Sequence, residues 1–299
     1  MAFATVDVAK QFSNESFVAK MRSGVISKLT KRLPQVMIGD TEYFDLSGRT
    51  KGELVGEAAA KSPTPTAHPL RHIKTVKLQY TERFSREFLQ FNDEKKLGII
   101  NQLAEKWMGS DFQADLDTIV IHGVNPLSGK PSTVVSDYIT KTNSCILVPS
   151  TGTTGTAINT DLTTAITAVA DGFGANGVAF SNTAAAALAG LKTSASVPMY
   201  PSLGSFGLDV KSFEGLPAAS SKEVGEYGGV QAIIGDWDAL RWGIASEFPV
   251  ELIEYGDPDG QGDLQRYNQV ALRYEVIFGF GIANPDALAV IMTPPSTED

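Results

Sequence analysis

Cysteine is nearly absent: Cys145 is the only one in 299 residues. One thiol forms no internal disulfide and supplies no cysteine metal cluster, which fits a reducing compartment. The three histidines are His68, His72 and His122. The first two are four apart, but Pro63, Pro65 and Pro69 exclude a regular helix around them. No glutamate completes a His-Glu-x-x-His pattern and His122 is remote, so no metal site is expected. Basic charge is also short. Lys and Arg total 25 against 34 Asp and Glu, a net charge of −9, which argues against a general nucleic-acid binder. No apolar run reaches the ~18 residues of a membrane span, and residues 1–12 lack a signal-peptide pattern. Neither a Gly-x-Ser-x-Gly elbow nor a P-loop is present, so no catalytic residue and no cofactor is expected.

What the chain does have is hydrophobic content, 42%, enough for a sizeable core. One stretch organises it. Over 92–123, Leu97, Ile100, Leu103, Trp107, Phe112, Leu116, Ile119 and Val120 recur mostly at spacings of three and four, on one helical face. Asn92 or Asp93 suits the N-cap and Gly123 the left-handed end. Such a helix spans roughly 40 Å. Gly109 in its middle costs about 1 kcal/mol against alanine, so something long and apolar must pack along it.

Residues 1–33 form a locally basic arm with Lys10, Lys20, Arg22, Lys28, Lys31 and Arg32. A short helix capped by Ser13 or Asn14 would carry Phe17, Met21, Val25 and Leu29. A strand at 36–38, a Gly39-Asp40 turn and residues 43–46 lead to a loop at 47–72. A return strand covers 73–80. A structureless loop of that length is usually functional or reaches outward. It carries Arg49, Lys51, Glu53, Glu57, Lys61 and Arg71.

Residues 151–156, alternating threonine and glycine, read as a flexible linker. A helix with Leu162, Ile166 and Val169 follows, capped by Thr160 or Asp161. A strand at 178–180, an alanine-rich helix at 182–191 and a strand at 230–234 come next. Gly172, Gly174 and Gly177 match the spacing of a dinucleotide fingerprint, but here they close a helix and precede a strand, the reverse of its context. Two strand-like stretches, 239–253 and 267–280, flank a loop holding Asp257, Asp259 and Asp263 and read as a long hairpin, the natural partner of the long helix. Asp257, Asp259 and Gly262 fall at calcium-loop positions one, three and six, but Asn268 stands where a glutamate is needed. A solvated turn is the expectation there. Asp236 and Asp238 read as turn residues.

These pieces, in this order, resemble a tailed-bacteriophage major capsid protein of the Hong Kong 97 type. The resemblance rests on Glu53 to Glu57 with Lys61 and Ser62, on the Gln79–Phe88 run, and on the long helix ending at Gly123, Asn125 and Pro126. It continues in Leu216-Pro217, Gly235-Asp236-Trp237, Trp242-Gly243-Ile244, Val250 to Ile253 and the Val270–Ala287 run. It implies an α+β Hong Kong 97-like capsid fold. Residues 1–33 would be the N-terminal arm and 34–83 the extended loop. Residues 84–160 would be the first part of the peripheral domain with its spine helix, and 161–236 the axial domain. Residues 237–285 would be the second part of the peripheral domain with the long hairpin, and 286–299 the final axial strand and tail.

The implied function is self-assembly into hexamers and pentamers of an icosahedral shell around double-stranded DNA, in the virion, after assembly in the host cytoplasm. The implied partners are further copies, a separate scaffold or none, a portal and decoration proteins, with no membrane. Arg49, Lys51, Glu53, Glu57, Lys61, Arg71, Asp257, Asp259 and Asp263 are the candidate inter-subunit contacts. An encapsulin compartment around a cargo enzyme is the alternative, and a soluble α/β enzyme the more distant one.

Overall fold

The computed structural model describes residues 24–34, 36–44, 53–57, 70–141, 143–170, 172, 174–204 and 210–293. Residues 1–23, and with them most of the arm, lie outside that set. The elements begin with α1 (Val25–Leu29), β1 (Asp40–Phe44), β2 (Leu70–Ser85), α2 (Asp93–Lys106), a π-helical turn (Trp107–Asp111) and α3 (Phe112–His122). They continue with β3 (Val124–Asn125), β4 (Lys130–Pro131), β5 (Ile146–Pro149), α4 (Gly155–Ala170), β6 (Gly177–Ser181) and α5 (Asn182–Ala189). The last are β7 (Ser212–Phe213), β8 (Leu216–Ser221), β9 (Val230–Gly235), β10 (Leu240–Glu247), β11 (Glu251–Ile253), β12 (Gln269–Ile282) and β13 (Leu288–Met292).

The long helix is a continuous rod of three parts. Asn92 caps it, its side chain accepting from Lys95 N at 3.1 Å. Gly123 ends it at φ +64°, and a Cβ there would stand 2.2 Å from Tyr138 Cδ1, so only glycine serves. The π turn holds Gly109, and Ser110 Oγ bonds Lys106 O at 3.0 Å across it. Trp107, buried in that turn, stacks on Tyr80 at 6.1 Å and Tyr274 at 6.4 Å between centroids. Tyr80 in turn donates to Asp115 Oδ2 at 2.6 Å. The helix therefore packs on β2 and β12 through aromatic rings, which supply the apolar contact that the sequence requires.

The first sheet is antiparallel in the order β1-β2-β12-β10, with β11 also beside β12. The expected hairpin exists as β10, β11 and β12, broken at Phe248-Pro249. β2 is longer than the 73–80 strand expected from alternation and occupies the other side of β12 from Ser85 to Lys74. The strand expected at 36–38 begins later, at Asp40. Gly39 N–H and C=O both bond Thr75 Oγ1, at 2.9 and 3.1 Å, and start the β1–β2 pairing there. Val36 is buried instead, against the position of Gly243.

The second sheet runs β5-β13-β9-β6-β8-β7. Its central strands are apolar on both faces, as sandwiched strands must be. Val178 and Phe180, Ala232 and Ile234, and Ala289 and Ile291 face α4 and α5. Ala179, Ile233 and Val290 point the other way, into the core of Trp107, Phe112 and Leu116. One face of this sheet thus shares a core with the first sheet's helix. β5 belongs here, because residues 146–149 pair in parallel with β13.

The 151–156 segment departs from a linker. Gly155 already opens α4, and a Cβ there would lie 2.4 Å from Ala187 O, so glycine permits α4 and α5 to touch. Asp161 is no cap. It sits buried in mid-helix and accepts from Thr151 N at 2.9 Å and Thr151 Oγ1 at 2.8 Å.

Candidate assembly surfaces

The predicted contact residues fall into three places. Arg49, Lys51 and Lys61 lie outside the described residues, and Arg71 is placed only by its backbone, opposite Tyr43 in the β1–β2 ladder. Glu53 and Glu57 are exposed and bracket Leu54, which is fully exposed, and Val55. Asp257, Asp259 and Asp263 gather at the tip between β11 and β12.

At that tip the structure supplies a partner that sequence spacing could not reveal. Arg83 of β2 reaches across and donates Nε to both carboxylate oxygens of Asp259, at 3.0 and 2.9 Å. Its Nη2 donates to Asp257 Oδ1 at 3.1 Å, to Gly262 O at 2.9 Å and to Asp259. Nη1 reaches Gln269 Oε1 at 3.1 Å. The carboxylates also cap the turn: Asp257 Oδ2 accepts from Gly262 N, and Asp259 Oδ1, shared with Arg83, accepts from Gln261 N. Asp263 caps Arg266 N at 3.0 Å. The guanidinium fork stands where a loop cation would stand. Its hydrogen bonds hold the Asp259 carboxyl below the usual carboxylate range and raise Arg83.

A second site fixes the root of the arm. The N-terminus of α1 points its free N–H groups at α3. Asp117 Oδ2 accepts from Val25 N and Oδ1 from Ile26 N, both at 2.9 Å. Gln113 Oε1 accepts from Gly24 N at 3.2 Å and Ser27 Oγ at 2.6 Å. At the far end Thr30 Oγ1 accepts from Trp242 Nε1 at 2.7 Å. Asp117 is fully buried, and burial pushes its carboxyl up to about 7 despite the two backbone donors. An acid set among Leu116, Ile119, Val120 and Ile121 is the one sequence signal for it. α3 is buried on nearly every side, so that acid had to meet a partner.

The histidines are not brought together. His72 is exposed on β2, 4.0 Å from Glu42. His122 is buried with Nε2 2.9 Å from Glu223 O, and burial lowers its pKa. His68 is outside the described residues. Among the described residues no cluster of His, Cys, Asp and Glu has the geometry to hold a metal, and no helix is long and apolar enough to cross a membrane. Asp236 serves a turn, as expected. It accepts from Asp238 N and from Asn176 Nδ2, at 3.0 and 2.5 Å. The glycines at 172–177 close α4 and lead into β6, also as expected.

A family model described as "Phage capsid family" matches residues 5–292. A solved structure from Mycobacterium phage Ogopogo superposes with a TM-score of 0.72 at 33% identity, covering 91% of this chain and 92% of that one. One from Gordonia phage Cozz gives 0.72 at 31% identity, covering 92% and 87%. The capsid of an empty GTA particle shares the fold, with a TM-score of 0.62 at 13% identity over 91% and 90% of the two chains. No curated protein matches the sequence.

Proposed function

Because the chain belongs to the phage capsid family, a family of structural shell proteins and not of enzymes, we propose that it forms the hexamers and pentamers of an icosahedral shell around the double-stranded DNA of a tailed phage or prophage. The observation that carries this reading is the match over residues 5–292, joined to two phage structures at 33% and 31% identity. The chain is a capsid protein with the Hong Kong 97 fold, and its place is the virion. An encapsulin-type compartment is not favoured by these neighbours.

In this reading the first sheet and the long helix make the peripheral domain, and the second sheet makes the axial domain at the capsomer centre. The hairpin of β1 and β2 is the extended loop, and α1 roots the arm. Assembly takes place in the host cytoplasm, with a scaffold, a portal and decoration proteins as partners. The net charge of −9 is compatible with a container, which encloses DNA without gripping it through bases. Glu53, Glu57, Arg49, Lys51, Lys61 and Arg71 are assigned to contacts between copies. Of the three tip acids, Asp257 and Asp259 already serve Arg83, so the tip meets its neighbours as a preformed shape. Each exposed pair contributes only ~0–1 kcal/mol, and repetition over the shell accumulates them.

Negative-stain electron microscopy of the expressed protein tests the reading, with absorbance at 260 and 280 nm on any particles. Closed shells of tens of nanometres are expected, carrying DNA when taken from the native source. A uniform monomer that stays unassembled with scaffold present would overturn it. Shells filled with a cargo protein would turn it towards the compartment class.

A further inference from the structure

α1 is held at two places of different chemistry. Its far end is anchored to β10: Thr30 Oγ1 accepts from Trp242 Nε1 at 2.7 Å, and Leu33 N donates to Trp242 O at 2.8 Å. Neither bond involves a group that titrates. Its near end is held on α3 by Asp117, which accepts from Val25 N and Ile26 N. A helix of five residues does not persist in water by itself, so these attachments decide whether it forms.

Three elements enclose the Asp117 carboxyl. α1 brings the two backbone N–H groups and the side chains of Val25 and Ile26, both fully buried. Its lysine, Lys28, sends Nζ to Val210 O at 2.7 Å. β8 and the turn Glu223–Gly225 bring Ser221 and the Glu223 carboxylate, which opposes a second negative charge. On α3 itself, Gln113 Oε1 serves Gly24 N and Ser27 Oγ, and Asp115 serves Tyr80. His122, farther along α3, lies against Glu223 O, and burial disfavours its charged form. This enclosure suits a protonated carboxyl better than a carboxylate. Burial first, and then Glu223, hold the acid up at about 7 despite the backbone donors.

We propose that α1 is a proton-operated latch: lifting it off α3 admits water to Asp117 and releases the carboxyl proton, so the root of the arm is held in acid and loosened as the pH rises to neutral. Docked, the proton stays with Asp117; open, the carboxylate is hydrated and the proton passes to solvent. The Thr30–Trp242 anchor is the pivot. It keeps Leu33 on β10 while the chain before Thr30 comes away. Val25 and Ile26 supply the apolar hold that seats α1 while the proton is present. The device belongs to the single subunit and goes beyond the shell reading.

Linkage sets the size of the effect. One proton lost per opening makes the opening equilibrium rise about tenfold per pH unit, levelling off above about pH 7. Hydrogen exchange of the full chain, from pH 5.5 to 8 and corrected for the intrinsic pH dependence of exchange, measures it. The reporters are the amides of residues 25, 26, 28 and 30, each hydrogen-bonded in the docked form. The amides of residues 116–121 in α3 should stay protected throughout, because the rest of the core still covers them. Asp117→Asn should abolish the slope. Glu223→Gln should move the levelling-off to lower pH, and it carries the test by itself if the asparagine variant does not fold. A flat wild-type profile, the same slope in Asp117→Asn, or an unmoved levelling-off in Glu223→Gln would overturn the latch.

Discussion

Asp117 is the residue on which the root of the arm depends. Replacing it with alanine removes the acceptor for Val25 N and Ile26 N, which are both buried. An orphaned buried donor costs about 1–3 kcal/mol, so two cost roughly 2–6 kcal/mol. Asp117→Asn keeps the shape and one acceptor, but turns an amide N–H₂ towards the other backbone donor. Its cost is about half as large. Hydrogen exchange on the amides of residues 25–30 reads the local effect, and a thermal melt reads the global one. Each 1 kcal/mol lowers the midpoint by about 2–4 °C in a chain of this size class.

The pH dependence separates Asp117 from a plain packing residue. Its folded pKa of about 7 lies above the unfolded 3.8. A raised folded pKa means that the folded state binds the proton more tightly. That stability is fully present below pH 3.8 and is lost as pH rises through about 7. A shift of about three units corresponds to about 4 kcal/mol over that window. His122 opposes it: burial lowers its pKa, so its contribution is lost as pH falls below the ordinary histidine range. The comparison that isolates Asp117 is therefore the wild type against Asp117→Asn between pH 4 and pH 7. The wild type should lose stability relative to the variant as pH rises. Identical slopes, or alanine-variant amides protected as in the wild type, would refute the reasoning.

Arg83→Met should open the tip at residues 256–263 to limited proteolysis while leaving the β2–β12 ladder intact. Chelators and calcium should leave the wild-type tip unchanged, because its cation is internal; calcium-dependent protection of the wild type would contradict this. Trp107→Ala removes a buried ring stacked between two tyrosines and is expected to cost about 3–5 kcal/mol, read by denaturant titration. Cys145 is buried and its thiol is pushed up to about 12, so it should ignore thiol reagents at pH 8 until the protein unfolds, and rapid native labelling would refute that.

The parts of the fold that the sequence announces are those decided locally. The apolar spacing of Leu103, Trp107, Phe112 and Leu116, with Asn92 and Gly123 at the ends, yields the long helix because cap and period agree. The runs at 178–180 and 230–234 read as strands because both faces are buried. The start of α4 was hidden by its threonines, which favour other structure in isolation. In place they bond back along the helix, Thr160 Oγ1 to Thr156 O at 3.1 Å and Thr164 Oγ1 to Thr160 O at 3.2 Å, while Ile158 and Leu162 fill the core. Hidden entirely were the contacts between distant residues. Arg83 lies 176 positions from Asp259, and Asp117 lies 92 from Val25. No local pattern ties such pairs together, since strand pairing and helix docking create them.

Charge is divided in a way that bears on assembly. Inside the subunit, the acids with strong partners are shielded or internally paired: Asp117 by α1, Asp161 by Thr151, Asp259 by Arg83. Their interactions change little with salt because they are buried or locked in forked hydrogen bonds. Between copies the balance differs. Each chain carries −9, so copies repel at long range. Screening shortens that repulsion from about 30 Å at 0.01 M salt to about 8 Å at 0.15 M. The same salt weakens any exposed ion pair between copies. The apolar part of the tip, Leu54 and Val55, is indifferent to it. Assembly should therefore be helped by moderate salt, as repulsion fades while apolar seating persists, and should lose its sensitivity to the charge at position 57 as salt rises. Light scattering across a salt series, for wild type and Glu57→Gln, measures both effects. A wild type that assembles best at the lowest salt would mean that attraction between opposite charges, and not apolar seating, holds the copies together.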